Sequence, residues 1–296
     1  MNTILVKSIG KQAYGQLFSS CSFVVMGNTS KGVFLKGPTG GIIFLSYEIF
    51  RGPLTINIGS EAQGILSEIQ PGSIVLYKSG EGITFPEKQI QVMVNEIDGW
   101  IPDNYSSHDD GIVHWSNLVL LQDWLRTNTP DGSFSYICST ISESTTSDCG
   151  SKSDFSFFLQ NTYKSLRDCD SKKFFQASTS LIGLGSGLTP SGDDFLSGMG
   201  LAVSRYSQLI PDFKKYLPWF NGLIPIFYRK TTTLSAALYI ASLSGTADER
   251  LIKAFDAILR KDVAKEDVIP QISTWGSSSG FDSISGFYIL MKAIQP

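Results

Sequence analysis

Gly183-Leu184-Gly185-Ser186-Gly187-Leu188-Thr189-Pro190-Ser191-Gly192-Asp193-Asp194-Phe195-Leu196-Ser197-Gly198 is the stretch from which the rest of this chain is best understood. Gly183, Gly185 and Gly187 leave little side-chain bulk before Pro190. Such a loop costs backbone entropy, and close approach of main chain to another group is one reason to retain it. After Ser191, apolar residues recur at Phe195, Met199, Ala202 and Tyr206, the spacing of one helix face. The segment therefore reads as a loop feeding a helix. Helix N-termini carry unpaired N–H groups and a partial positive charge, which suit a phosphate or carboxylate.

The same pattern returns near the end of the chain. Ser191–Gly198 reads Ser-Gly-Asp-Asp-Phe-Leu-Ser-Gly, and Ser279–Gly286 reads Ser-Gly-Phe-Asp-Ser-Ile-Ser-Gly, identical at five of eight positions. Ile284, Phe287, Tyr288 and Met291 continue the second copy with helical spacing. Each copy fits a capping box, Ser191 with Asp194 and Ser279 with Asp282. Asp in a first turn also complements the helix dipole. Gly198 and Gly286 would then let another helix come close. Capping alone does not call for Asp193 beside Asp194, because adjacent helical positions point about 100° apart. One Asp can serve the helix while its neighbour faces a ligand.

These residues define a candidate site. Gly185, Ser186, Gly187, Thr189, Ser191 and Gly192 would supply main-chain or hydroxyl hydrogen bonds to a small anion. Ser279, Gly280 and Asp282 would contribute from the second copy, with Asp193 and Asp194 as candidate catalytic residues. Arg229, in Arg229-Lys230-Thr231-Thr232-Thr233, could grip an anion with two parallel hydrogen bonds, and Thr232 could contact it or cap the next helix. Solvated charge and ordinary capping remain the alternative there. The carboxylates leave room for Mg²⁺, which often uses one or two of them plus substrate oxygens. The loop is no P-loop, since Pro190-Ser191-Gly192 stands where a Lys is needed, and Leu188 breaks the dinucleotide fingerprint. No Ser-His-Asp or Cys-His arrangement is present, so the residues favour electrostatic binding of an anion.

Upstream the period changes. Ile4–Ser8, Ser22–Met26, Val33–Lys36, Ile42–Tyr47, Leu54–Ile58, Ser73–Tyr77 and Gln89–Val94 are short β-rich runs separated by Gly, Pro and Asn. They predict an antiparallel β-barrel or sandwich-like domain over residues 1–112. Residues 113–296 read as a mainly helical domain. Leu118, Leu121 and Leu125 share a face, and further helices are expected over Phe155–Asp168, Lys172–Ile182, Trp219–Lys230, Ser235–Ser244, Asp248–Arg260, Glu266–Trp275 and Phe281–Ile294. The polar stretch Ser139–Ser153 reads as a loop. The fold class is α+β, β first and helices after.

A net charge of −3 argues against a nucleic-acid coat or an acidic-membrane binder. No run approaches the ~20 apolar residues of a membrane span. Four cysteines without a CxxC pair, and no signal-peptide pattern, place the expectation in the reducing cytoplasm.

The central motif resembles the Gly-x-Gly-x-Gly-Leu-Thr-Pro-Ser-Gly-Asp-Asp-Phe-Leu-x-Gly signature of the AllH-like (YlbF) bacterial family. Arg229–Thr233 with Ser235, and Gly276–Gly286, resemble that family's two later motifs. Ser277 departs from it, standing where the family's Gly-His-x-Ser-Gly-x-Asp segment has a His. The resemblance implies allantoin (purine) catabolism and a subunit of an oxamate carbamoyltransferase, working with an FdrA-like protein and a third subunit. That enzyme interconverts oxalurate plus phosphate with oxamate plus carbamoyl phosphate. A non-catalytic assembly or regulatory subunit, or a metabolite-binding protein, is the alternative.

Overall fold

The computed structural model describes residues 2–94, 99–105, 113–129, 154–260 and 265–296. The stretch Ser139–Ser153 lies outside them. Contacts divide the chain into two compact units, Met1–Pro102 and Asp103–Pro296.

The first unit is one curled nine-stranded sheet. Its strands are β1 (Asn2–Leu5), β2 (Ser8–Ile9), β3 (Ser22–Thr29), β4 (Gly32–Lys36), β5 (Ile42–Ser46), β6 (Thr55–Asn57), β7 (Ile74–Lys78), β8 (Gly82–Phe85) and β9 (Ile90–Met93). They lie in the order β1-β9-β8-β7-β3-β4-β5-β6-β2. Alternation does the work expected of it: Phe23 and Val25, Val33 and Leu35, Ile43 and Leu45 all face the core. Helix α1 (Lys11–Phe18) covers that face through Ala13 and Leu17, one turn apart. The sheet is mixed, because β1 pairs with β9 and β5 with β6 in parallel. Period alone cannot distinguish the two senses, since side chains alternate in both. Strand β8 was not legible either. Its Gly82 sits at φ +89, where a Cβ would lie 2.2 Å from the Val92 carbonyl oxygen, so a residue that looks like a breaker is required by the ladder.

After α2 (Gln63–Leu66), the second unit contains α3 (Asn117–Asn128), α4 (Asp154–Arg167), α5 (Ser171–Leu181), α6 (Ser191–Arg205), α7 (Leu217–Lys230), α8 (Thr233–Leu243), α9 (Glu249–Leu259), α10 (Lys265–Val268) and α11 (Ser279–Ile294). The helix expected over Glu266–Trp275 is instead the single turn of α10 followed by a 3₁₀ segment, Ile269–Thr274. Pro270 explains the break, because it has no N–H to continue the α ladder. Helix α11 is the centre of this unit, buried continuously from Gly280 to Met291. Its sequence is apolar on nearly all sides, as a helix surrounded by others must be. Helix α6 packs along it, and Phe195, Leu196, Met199, Phe287, Tyr288 and Leu290 belong to one core. No helix among the described residues is long and apolar enough to cross a membrane.

Candidate functional site

The two echo segments begin helices that cross each other. A Cβ on Gly198 would lie 1.9 Å from the Ser283 carbonyl oxygen, and one on Gly286 would lie 1.9 Å from that of Phe195. The eighth residue of each copy thus rests on the backbone of the fifth residue of the other. The second residue is used alike in both: Gly192 presses on the Leu181 carbonyl and Gly280 on that of Ile272, where a Cβ would come within 2.0 and 2.1 Å. Backbones this close exclude any side chain larger than hydrogen.

The carboxylates follow the same reciprocity. The hydroxyls of Ser279 and Thr189 favour the charged form of Asp194, and those of Ser191 and Ser278 that of Asp282. The first serine of each copy therefore serves the Asp of the other copy. Thr189 and Ser279 are themselves hydrogen-bonded, Oγ1 to Oγ, at 2.9 Å. These contacts are loose, since Asp194 Oδ2 and both carboxylate oxygens of Asp282 make no well-formed hydrogen bond. Burial dominates. It raises Asp194 well above the ordinary carboxylate range, with the charge of Asp282 adding to the effect, and it pushes Asp282 up to about 7.

The capping boxes do not form. Pro190 and Ser278 are the N-caps, neither making a side-chain cap bond, and Ser191 and Ser279 already lie inside their helices. Orphan amides are met by main chain instead: Gly192 N–H donates to Leu184 O at 2.9 Å, Asp193 N–H to Pro190 O at 2.9 Å and Gly280 N–H to Trp275 O at 3.1 Å. Gly192 and Gly280 are thus committed to packing and to these bonds.

Asp193 ties the loop down. Its Oδ1 accepts the Gly183 N–H at 2.8 Å, and its Oδ2 accepts from the Thr231 hydroxyl. Burial still raises its pKa, opposed by Thr231, Gly183, Ser235 and the charge of Lys230. Thr232 makes a second brace, donating to Leu188 O at 2.6 Å while accepting the Ser235 N–H at 3.0 Å as the cap of α8. Between these anchors Gly185, Ser186, Gly187 and Leu188 are exposed. Gly183, Gly185 and Gly187 all adopt positive φ, and a Cβ on Gly187 would meet nothing within 4 Å. No hydrogen bond among the described residues engages Ser186. Arg229 is exposed in the last turn of α7 with its Nε on Pro225 O at 3.2 Å. No contact among the described residues joins it to the carboxylates. No group of three or more potential metal ligands occurs among the described residues.

Residues 181–291 match the family model for oxamate carbamoyltransferase subunit AllH. This part of the chain is AllH-like. No curated protein and no solved structure matches the chain.

The AllH-like stretch takes in the loop, both echo helices and the Thr231–Thr232 brace, and it leaves out the sheet unit. Thr231, expected with its neighbours to cap a helix or contact an anion, instead faces Asp193, and Ser278, which carries no signal beyond lying beside Ser279, faces Asp282. Ser277 is exposed in the turn before α11.

Proposed function

We propose that this chain is a subunit of an oxamate carbamoyltransferase-like enzyme and that its exposed glycine loop receives a small anionic substrate or phosphate. The family match supports the subunit reading. The observation that carries the site is the loop itself, pinned at Gly183 by Asp193 and at Leu188 by Thr232 while the tip between stays exposed. A pinned loop presents its amides with little further ordering to be done on binding. In this proposal Gly185, Ser186 and Gly187 contact the anion, and Arg229 balances its charge. Asp193 and Asp194 act by positioning, since the oxygens of Asp193 are engaged and Asp194 is 3% exposed. In the reaction, a phosphate oxygen attacks the carbamoyl carbon of oxalurate. The C–N bond to oxamate breaks, and the departing nitrogen takes up a proton. Partner subunits complete the enzyme.

Thermal denaturation with phosphate, carbamoyl phosphate, oxamate and oxalurate tests the loop. A ligand at 100 times its Kd stabilises by about 2.7 kcal/mol, a shift that Ser186→Ala and Arg229→Ala should diminish. If none of the four shifts the melting of the wild type, the anion site is wrong. The second reading, an assembly subunit, is favoured by the reciprocal glycine contacts, which account for the echo motif without a ligand.

A further inference from the structure

We infer that one of the buried pair Asp194 and Asp282 stays protonated at neutral pH, so that the packing of the α6–α11 crossing is tied to a bound proton. Both side chains are buried, at 3% and 0% exposure. They sit at the same position of the two copies, each one turn before the glycine that packs on the other helix. Three of their four oxygens lack a well-formed hydrogen bond. Two desolvated negative charges in such a place, with no cationic side chain among the described residues between them, are far costlier than one.

Another carboxylate in the same unit has the partners that this pair lacks. Asp256 receives Arg205 Nε and Nη2 at 2.9 and 2.8 Å and the Tyr206 hydroxyl at 2.6 Å. The Asp194–Asp282 pair has only hydroxyls and helix N-termini. Charges on the elements packed around it are exposed or engaged elsewhere. Within α6, Asp193 adds a like charge against Asp194, and Arg205 is paired with Asp256. Lys292, beyond the buried part of α11, reaches Gln295. On α3 Asp123 and Arg126 are exposed, as are Lys164 and Arg167 on α4. Lys172 and Lys173 on α5 and Asp212, Lys214 and Lys215 in the 3₁₀ turn Pro211–Lys215 are exposed too. Lys230 on α7 donates to Thr179 O, and Arg229 is exposed. On α9, Glu249 is paired with Lys253, and Arg250 holds Asp248 just before that helix. Helix α8 and the Ile269–Thr274 segment carry no charged side chain.

The direction of both shifts agrees, upward through burial. Which oxygen holds the proton is a property of the pair. A carboxyl pKa raised on folding means that the native state keeps a proton the unfolded chain has released. The contribution to stability is therefore full below the unfolded value and is lost as pH rises through the folded one, which for Asp282 is about 7. The inference does not depend on the loop binding an anion.

The experiment is a carbon-13 NMR titration of the full chain labelled at aspartate Cγ, from about pH 5 to about pH 9, with melting temperatures over the same range. Expected is an aspartate signal titrating near neutrality, absent from Asp282→Asn, and a wild-type melting temperature that falls with pH. Asp282→Asn should flatten that fall, because its amide is neutral throughout and has no proton to release. Asp194→Asn serves equally should the first variant fail to fold. The inference is overturned if every aspartate of the wild type titrates below about pH 5, or if the folded variant melts with an unchanged pH slope.

Discussion

Helices α6 and α11 open with the same pattern yet are tied to their surroundings by different means. Where they agree, at the first Ser, the Asp and the closing Gly, the contacts run from one copy to the other. Where they differ most, at the third position, each helix is joined to something else. Asp193 of α6 reaches the glycine loop and Thr231. Its counterpart Phe281 of α11 stacks on Trp124 of α3, with ring centroids 5.3 Å apart and planes 12° from parallel. These three shared positions build the crossing, and the third position decides whether a helix end is fastened to an exposed loop or sealed into the core.

The sharpest way to break the comparison is at the crossing itself. Gly198→Val puts a branched side chain where even a Cβ would lie 1.9 Å from a carbonyl. Overpacking typically costs about 1–3 kcal/mol and sometimes more. Here backbone must move, so a loss of at least about 3 kcal/mol, or failure to fold, is expected in urea denaturation. Gly286→Val should do the same, and a mild effect in either would mean the two-fold reciprocity is not what holds the helices.

Phe281→Ala comes next. The residue is 5% exposed, and removing such a ring typically costs about 3–5 kcal/mol. It should destabilise the fold without altering any response to anions. Asp193→Ala is expected to cost about 2 kcal/mol, since hydrogen bonds to charged groups contribute about 1.5–3 kcal/mol and relief of burying the carboxylate offsets part of that. Unlike Phe281→Ala, it should also make the loop more accessible to proteolysis and weaken any anion-dependent shift. If the two variants behave alike, the proposed division between loop fastening and core sealing fails.

The smallest effects belong to the loop. Thr232→Ala removes a cap, worth about 1 kcal/mol, together with the bond to Leu188 O. Gly187→Ala meets no neighbour but must hold φ +91, a strain of about 1–2 kcal/mol. Differential scanning calorimetry resolves both.

Much of this was legible beforehand. The α+β order, the buried face of Leu118, Leu121 and Leu125, and the start of a helix at Ser191 followed from period and punctuation, because periodicity records which face is buried. Helix α1 escaped because it is only eight residues long and carries Gly15 inside. The echo of two octets was visible as text, and a capping box was its cheapest local explanation. That explanation failed because it looked only along the chain, whereas the serines and aspartates work across it.

The sequence by itself determined that two similar octets each begin a helix, that a loop poor in side chains precedes the first, and that strands come before helices. All of these are local consequences of residue type and spacing. Tertiary structure alone decided that the octets meet, that their glycines are demanded by facing carbonyls, and that all three aspartates end up buried, with no cationic side chain among the described residues paired to Asp194 or Asp282. The reason is physical. Propensity and pattern act over a few residues, but burial, close backbone approach and the cost of an unpaired charge depend on what another part of the chain brings alongside.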